Sequence, residues 1–127
     1  MRAMTRYIAM LMAVLCASCA QDLYEQRTAS MKTHIRAFYD HLRSDRVTAA
    51  VIENEKLEAM ASMVGTEIVR SRSPFAANQV NRDWVLVKTA KQAAAENWLN
   101  LGRYLTRRKR YDEARGAYRR VLSSYHG

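Results

Sequence analysis

Apolar residues in this chain recur at three- and four-residue intervals, and beyond residue 20 no stretch alternates with period two for long, a pattern that predicts helices. Tyr24, Met31, Ile35, Phe38 and Leu42 form one stripe and predict a helix over about Gln21–Arg43. Ser44 or Asp45 stands where it would cap a second helix, about Arg46–Arg70. There Val47, Val51, Leu57, Ala61, Val64 and Ile68 keep the helical period, with Asn54 as the polar interruption. Gly65 inside this helix costs ~1 kcal/mol relative to alanine, which a close helix–helix approach would explain. Ser71-Arg72-Ser73-Pro74 stops the helix, because Pro74 pushes Ser73 out of the α region. Phe75 to Arg82 reads as a loop, and Asn81 or Asp83 as the cap of a third helix reaching about Arg107. On it Trp84, Ala94, Trp98, Leu101 and Leu105 share a face, with Lys91 as the exception; Val85-Leu86-Val87 is β-prone alone but continues the helical period. A fourth helix, about Asp112–Tyr125, turns Ala114, Ala117, Tyr118, Val121 and Leu122 inward. The expectation is an all-α chain whose helices form two hairpins, and Met31, Met60 and Met63 read as core fillers.

The start of the chain has a different pattern. Arg2 and Arg6 precede nine apolar residues, Tyr7 to Leu15, and then Cys16-Ala17-Ser18-Cys19. Nine residues rise about 13 Å as a helix, well short of a ~30 Å hydrocarbon core, so the run suits the apolar part of an export signal. Two cleavage sites compete. Ala17-Ser18-Cys19 resembles a bacterial lipobox, with Cys16 departing from its usual Leu, and implies lipidation of Cys19. Ser18-Cys19-Ala20 alternatively fits an ordinary small-x-small site with Gln21 first in the mature chain. A retained anchor is the third reading. Residues 1–18 are thus expected to be a signal peptide, 19–82 a helical hairpin with its loop, and 83–127 a second hairpin. Either cleavage leaves at most one cysteine, so stability must come from packing rather than an internal disulfide.

Charge is uneven. The chain carries a formal +9, and Ala95 to Gly127 holds eight basic residues against three acidic ones. A basic face favours acidic proteins, anionic lipid or nucleic acid as partners, and an exported protein makes nucleic acid the least expected of these.

In that basic region Trp98, Leu101-Gly102, Tyr111-Asp112-Glu113-Ala114 and Tyr118 stand at fixed offsets. The pattern resembles one tetratricopeptide repeat, covering about Ala95 to the C-terminus. The resemblance implies a helix–turn–helix docking scaffold. Gly102 and Ala114 would be its small close-approach residues. Trp98, Leu101, Leu105, Tyr118 and Val121 would fill the seam, and Tyr111 would be the turn aromatic. The family's turn glycine and closing proline are absent; Lys109-Arg110 and His126 stand near their places. Setting Ala49 or Ala50 against Ala114 puts the wrong residues at the Trp and Leu-Gly places, so the sequence contains no convincing second copy. By resemblance, Glu96, Leu99, Arg103, Thr106 and Arg107 would face a ligand from the first helix of the repeat. Arg103 and Arg107, four apart, share a face and suit a carboxylate.

Other chemistry is sparse. His34 and His41 lie seven apart, about 10.5 Å by rise, too far to share a metal, and read as structural. Glu53, Glu55 and Glu58 read as a solvated acidic face, with pairing to the basic hairpin as the alternative. No phosphate loop or grouped nucleophile and base occurs in the sequence, and no metal or cofactor is called for. Trp84 and Trp98 are expected to be core. The Arg107-Arg108-Lys109-Arg110 run reads as a solvated turn or as a contact for anionic lipid. The expected function is a non-catalytic adaptor of the bacterial cell envelope. It would dock a protein or peptide, tethered through Cys19 to the outer membrane and facing the periplasm, with oligomerisation open. The alternatives are a soluble periplasmic or secreted chain and a basic protein that contacts anionic lipid or polymer.

Overall fold

The periodic stripes fold as helices. The computed structural model describes the backbone of residues 2–70 and 77–126, and the side chains of residues 4–11, 23–70 and 79–124. Among these the chain is all-α, with α1 (Arg2–Arg43), α2 (Val47–Arg70), α3 (Ala77–Arg107) and α4 (Tyr111–His126). It divides into two units, Met1–Ser30 and Met31–Gly127, and α1 runs through both.

The first unit is the N-terminal part of α1. Met4, Tyr7, Ile8, Met10 and Leu11 are exposed, and the Thr28 hydroxyl donates to the Tyr24 carbonyl at 2.9 Å. Cys19 and both expected cleavage sites lie outside the residues whose side chains are described. Among the described residues no helix is long and apolar enough to cross a membrane.

In the second unit the last turns of α1 pair with α2, and α3 pairs with α4. Both hairpins turn on a non-glycine residue in the left-handed region, Asp45 at φ 56° and Lys109 at φ 60°. The amide after each reaches back to the last helical turn: Arg46 N–H to His41 O at 2.8 Å and Arg110 N–H to Leu105 O at 2.9 Å. This arrangement satisfies carbonyls that a helix end would leave bare. Ser44 and Asp45 therefore do not cap α2 as predicted. Asp45 is used to close α1, and Ala50 N–H bonds the Arg46 carbonyl as α2 begins.

Phe38, Leu42, Ala50, Trp98, Leu101, Leu105, Ala114 and Ala117 form the principal core, where all four helices meet. Burying each large member contributes about 1.5–3 kcal/mol. A smaller cluster, Val64, Ile68 and Val87 with Val80 against it, joins α2 and α3 further along. That contact explains two corrections. The expected loop over Phe75–Arg82 is helical from Ala77, and Asn81 and Asp83 lie inside α3 rather than capping it, because burying Val80 extends the helix toward its N-terminus. Leu86 and Val87 are buried as the helical reading requires, while Val85 is exposed.

Between α2 and α3 the core holds a polar pair. Asn54 Nδ2 donates to the Ala94 carbonyl at 3.0 Å, and Asn97 Nδ2 donates to Asn54 Oδ1 at 3.0 Å, both side chains being buried. The predicted interruption at Asn54 is thus a cross-helix tie that fixes how α3 lies along α2. Leu122 and Met63, expected inward, are exposed, and Met60 is only half-buried.

Candidate functional site

The seam between α3 and α4 is close-packed at one point. A Cβ on Gly102 would stand 2.6 Å from Cε1 of the Tyr118 ring, so only glycine leaves that ring its place. Leu101, Leu105 and Ala114 are buried beside it; Tyr118 and Val121 are half-buried. Tyr111 is 57% exposed and does not fill the seam; it begins α4 and stays in solvent. Trp98 is buried and reaches beyond the seam: its Nε1 donates to Glu58 of α2, and the Arg120 guanidinium of α4 sits 4.9 Å from its ring centroid.

Arg120 gathers the acidic residues of α2. It bonds Glu55 at 2.7 Å and stands 3.7 Å from Glu58. Glu53 takes the His34 ring at 2.7 Å and Lys56 at 3.4 Å. The hydrogen bond with His34, and then Lys56, holds the Glu53 carboxyl below its ordinary range. The acidic face expected to be solvated is instead engaged by α1 and α4. His34 and His41 are both half-buried.

The basic run at the second turn is half engaged. Tyr104 donates its hydroxyl to Asp45, and Arg108 lies 3.5 Å from Asp45 and 4.8 Å from the Tyr104 ring centroid. The Tyr104 bond, and then Arg108, lower the Asp45 carboxyl, while the same bond raises the Tyr104 phenol. Arg110 forks onto Glu113 at 3.0 and 2.7 Å, which raises the guanidinium further. Arg103, Arg107, Lys109, Arg115 and Arg119 are exposed and join none of the ion pairs among the described residues.

The five expected partner-facing residues all lie on α3. Glu96, Arg103, Thr106 and Arg107 are exposed and Leu99 is half-buried; the Thr106 hydroxyl is occupied by the Gly102 carbonyl at 2.8 Å. Glu96 and Leu99 line an open groove of about 670 Å³ between α3 and α4, whose other walls include Trp84, Val87, Lys88, Lys91, Ala95 and Val121. Arg103 and Arg107 continue the stripe from Leu99 at four-residue steps, outside the groove.

Sequence reasoning placed Trp84 in the core, but it is 46% exposed and lines the groove. A straight helix drifts ~20° per heptad, so the two heptads from Trp98 back to Trp84 rotate it ~40° off the buried face. Lys91, midway between them and out of keeping with an apolar face, was the available signal. Lys88 and the groove role of Val121 were missed because they depend on how α4 lies alongside α3.

No family model, curated protein or solved structure matches the chain.

Proposed function

We propose that the chain is a non-catalytic adaptor that docks a protein or peptide segment along the exposed face of α3 and the adjoining edge of α4. The observation that carries the reading is the open groove. Trp84, Leu99 and Val121 supply apolar contact, and Lys88 and Lys91 add charge beside it. Pockets of such mixed lining, with an exposed tryptophan as anchor, suit recognition of side chains. The likeness to a tetratricopeptide repeat is supported by the fit of Tyr118 over Gly102, and placement in a bacterial envelope rests on the leader-like sequence up to Cys19.

The competing reading, contact of the Arg107–Arg110 run with anionic lipid or polymer, is weakened by the engagement of Arg108 with Asp45 and of Arg110 with Glu113. Crosslinked capture from envelope fractions separates the two readings. A partner retained by the wild type, lost on Leu99→Asp and kept on Lys109→Glu supports docking. Vesicle binding that disappears on Arg107→Glu with Lys109→Glu and in moderate salt, together with indifference to Leu99→Asp, would sink it.

A further inference from the structure

The two hairpins share one backbone plan, and only one of their grooves is filled. Asp45 and Lys109 occupy the same place in turns with the same hydrogen bonds: Asp45 N–H to Leu42 O and Lys109 N–H to Thr106 O, then Arg46 to His41 and Arg110 to Leu105. In that register Ala50 corresponds to Ala114, Ile35 to Leu99 and Leu57 to Val121. The groove between α1 and α2 seats α3. Asn100 Nδ2 donates to the Tyr39 hydroxyl of α1 at 2.9 Å, and Asn97 and Trp98 donate to Asn54 and Glu58 of α2. The corresponding groove between α3 and α4 is the open one, and Leu99 and Val121 in it are the counterparts of Ile35 and Leu57.

We infer that this open groove seats one further helix, that the helix is acidic, and that it belongs to another protein. The inference rests on the docking reading above and names its ligand. That the occupant is helical follows from the equivalence of the two grooves. Its charge follows from their difference. The edge of the filled groove is acidic, with Asp45, Glu55 and Glu58 meeting Arg108 and Arg120 of the second hairpin. At the same three places the open groove has Lys109, Arg119 and Leu122, so its edge is basic and apolar. Lys88, Lys91 and Arg103 extend that charge along α3, and Glu96 is the only acid among the residues that line the groove. A second copy stacked head to tail would bring up its first hairpin, whose Ser44 and Lys56 stand at the places of Arg108 and Arg120, so Lys109 would meet no acid and Arg119 a like charge. Lys56 against Arg119 selects against self-assembly, and the basic edge selects for an acidic partner. From Trp84 to Leu99 the groove offers about 22 Å of α3, room for about four helical turns.

The test uses the full chain and two labelled synthetic helical peptides of about 18 residues. They share one Leu/Phe face and carry either Glu or Lys at the polar positions; binding is read by fluorescence anisotropy, and circular dichroism checks that every variant is folded. The Glu peptide is expected to bind at least about tenfold tighter than the Lys peptide and to weaken as salt rises. Leu99→Asp, and separately Lys91→Glu with Arg103→Glu, are expected to weaken it about tenfold. Lys32→Glu with Arg36→Glu, the same charge change on exposed positions of α1, leaves it within about twofold. Equal affinity for both peptides, each sensitive to Leu99→Asp, overturns the acidic occupant while the docking face stands. Failure of both peptides to bind overturns both. Equal weakening by the α1 variant reduces the effect to bulk charge and overturns the inference. A dimer in sedimentation that Leu99→Asp dissociates puts a second copy in the groove and overturns it too.

Discussion

Glycine is required at one helical position here and wasted at another. At Gly102 an added methyl meets the Tyr118 ring at 2.6 Å, whereas at Gly65 the nearest atom is Val87 Cγ1 at 4.0 Å. The close approach expected at Gly65 is therefore absent, and the glycine only weakens α2. Gly65→Ala should stabilise the protein by about 0.5–1 kcal/mol through helix propensity. Gly102→Ala gains the same propensity but overpacks the seam, and a net loss of about 1–2 kcal/mol is expected. Urea midpoints of the two variants should move in opposite directions; a shared direction would refute the packing argument at Gly102. Lys109 is the converse case, a side chain held at φ 60° where the left-handed region costs an L-residue ~1–2 kcal/mol. Lys109→Gly should raise stability by about 0.5–1 kcal/mol, after the extra chain entropy of glycine is subtracted. Asp45→Gly relieves the same backbone but removes the carboxylate that takes Tyr104 and Arg108, so it should gain less than Lys109→Gly in the same urea series. The sequence presented Lys109 as a departure from a glycine turn. The conformation that glycine would serve is present all the same.

Helices α2 and α3 are tied by polar groups as well as by apolar ones. Asn54→Ala leaves the Asn97 amide buried without its acceptor, and a loss of about 1–3 kcal/mol is expected. The double change Asn54→Leu with Asn97→Leu should recover part of that loss in thermal melts, because it removes both buried polar groups together. At the first hairpin the His34 bond lowers the Glu53 carboxyl, so Glu53 ionises more readily folded than unfolded. Its contribution is complete above the ordinary value of 4.5 and disappears as pH falls through the lowered folded value. Urea midpoints between about pH 5 and 2 should fall less steeply for Glu53→Gln than for wild type; parallel curves would remove Glu53 from the account. Asp45 acts in the same direction and keeps part of the slope in that variant. These elements were largely legible in the sequence. The stripes of Phe38 and Leu42, of Leu57, Ala61 and Val64, and of Trp98, Leu101 and Leu105 are buried where periodicity put them. The start of α3 was not legible, because the helix extends through Val80 only by packing on Val64 and Ile68, a tertiary contact that local signals do not contain.

Across the second unit, much of the charge that looked available for partners is used internally. Glu55, Glu58 and Asp45 of the first hairpin hold Arg120 and Arg108 of the second, which leaves Lys88, Lys91, Arg103, Arg107, Lys109, Arg115 and Arg119 as its exposed basic surface. The candidate site was therefore only half legible. Leu99 and Glu96 were found from the α3 face, but Trp84, Lys88 and Val121 join it through the way α4 lies along α3. Four helices meet around Phe38, Trp98 and Leu105, while among the described residues only α2 and α3 meet around Val64, Ile68 and Val87. Fewer buried contacts hold the second region, so it should open without the first. Native-state hydrogen exchange should show amides of residues 62–70 and 79–88 exchanging at least about tenfold faster than those of residues 50–57 and 98–105. Val87→Ala should widen the gap by accelerating only the faster set. Leu105→Ala removes packing from the four-helix layer and should accelerate both sets together. Uniform protection across α2 and α3 would mean that the Asn54–Asn97 tie couples the two clusters into one cooperative unit, and the predicted separate opening would be wrong.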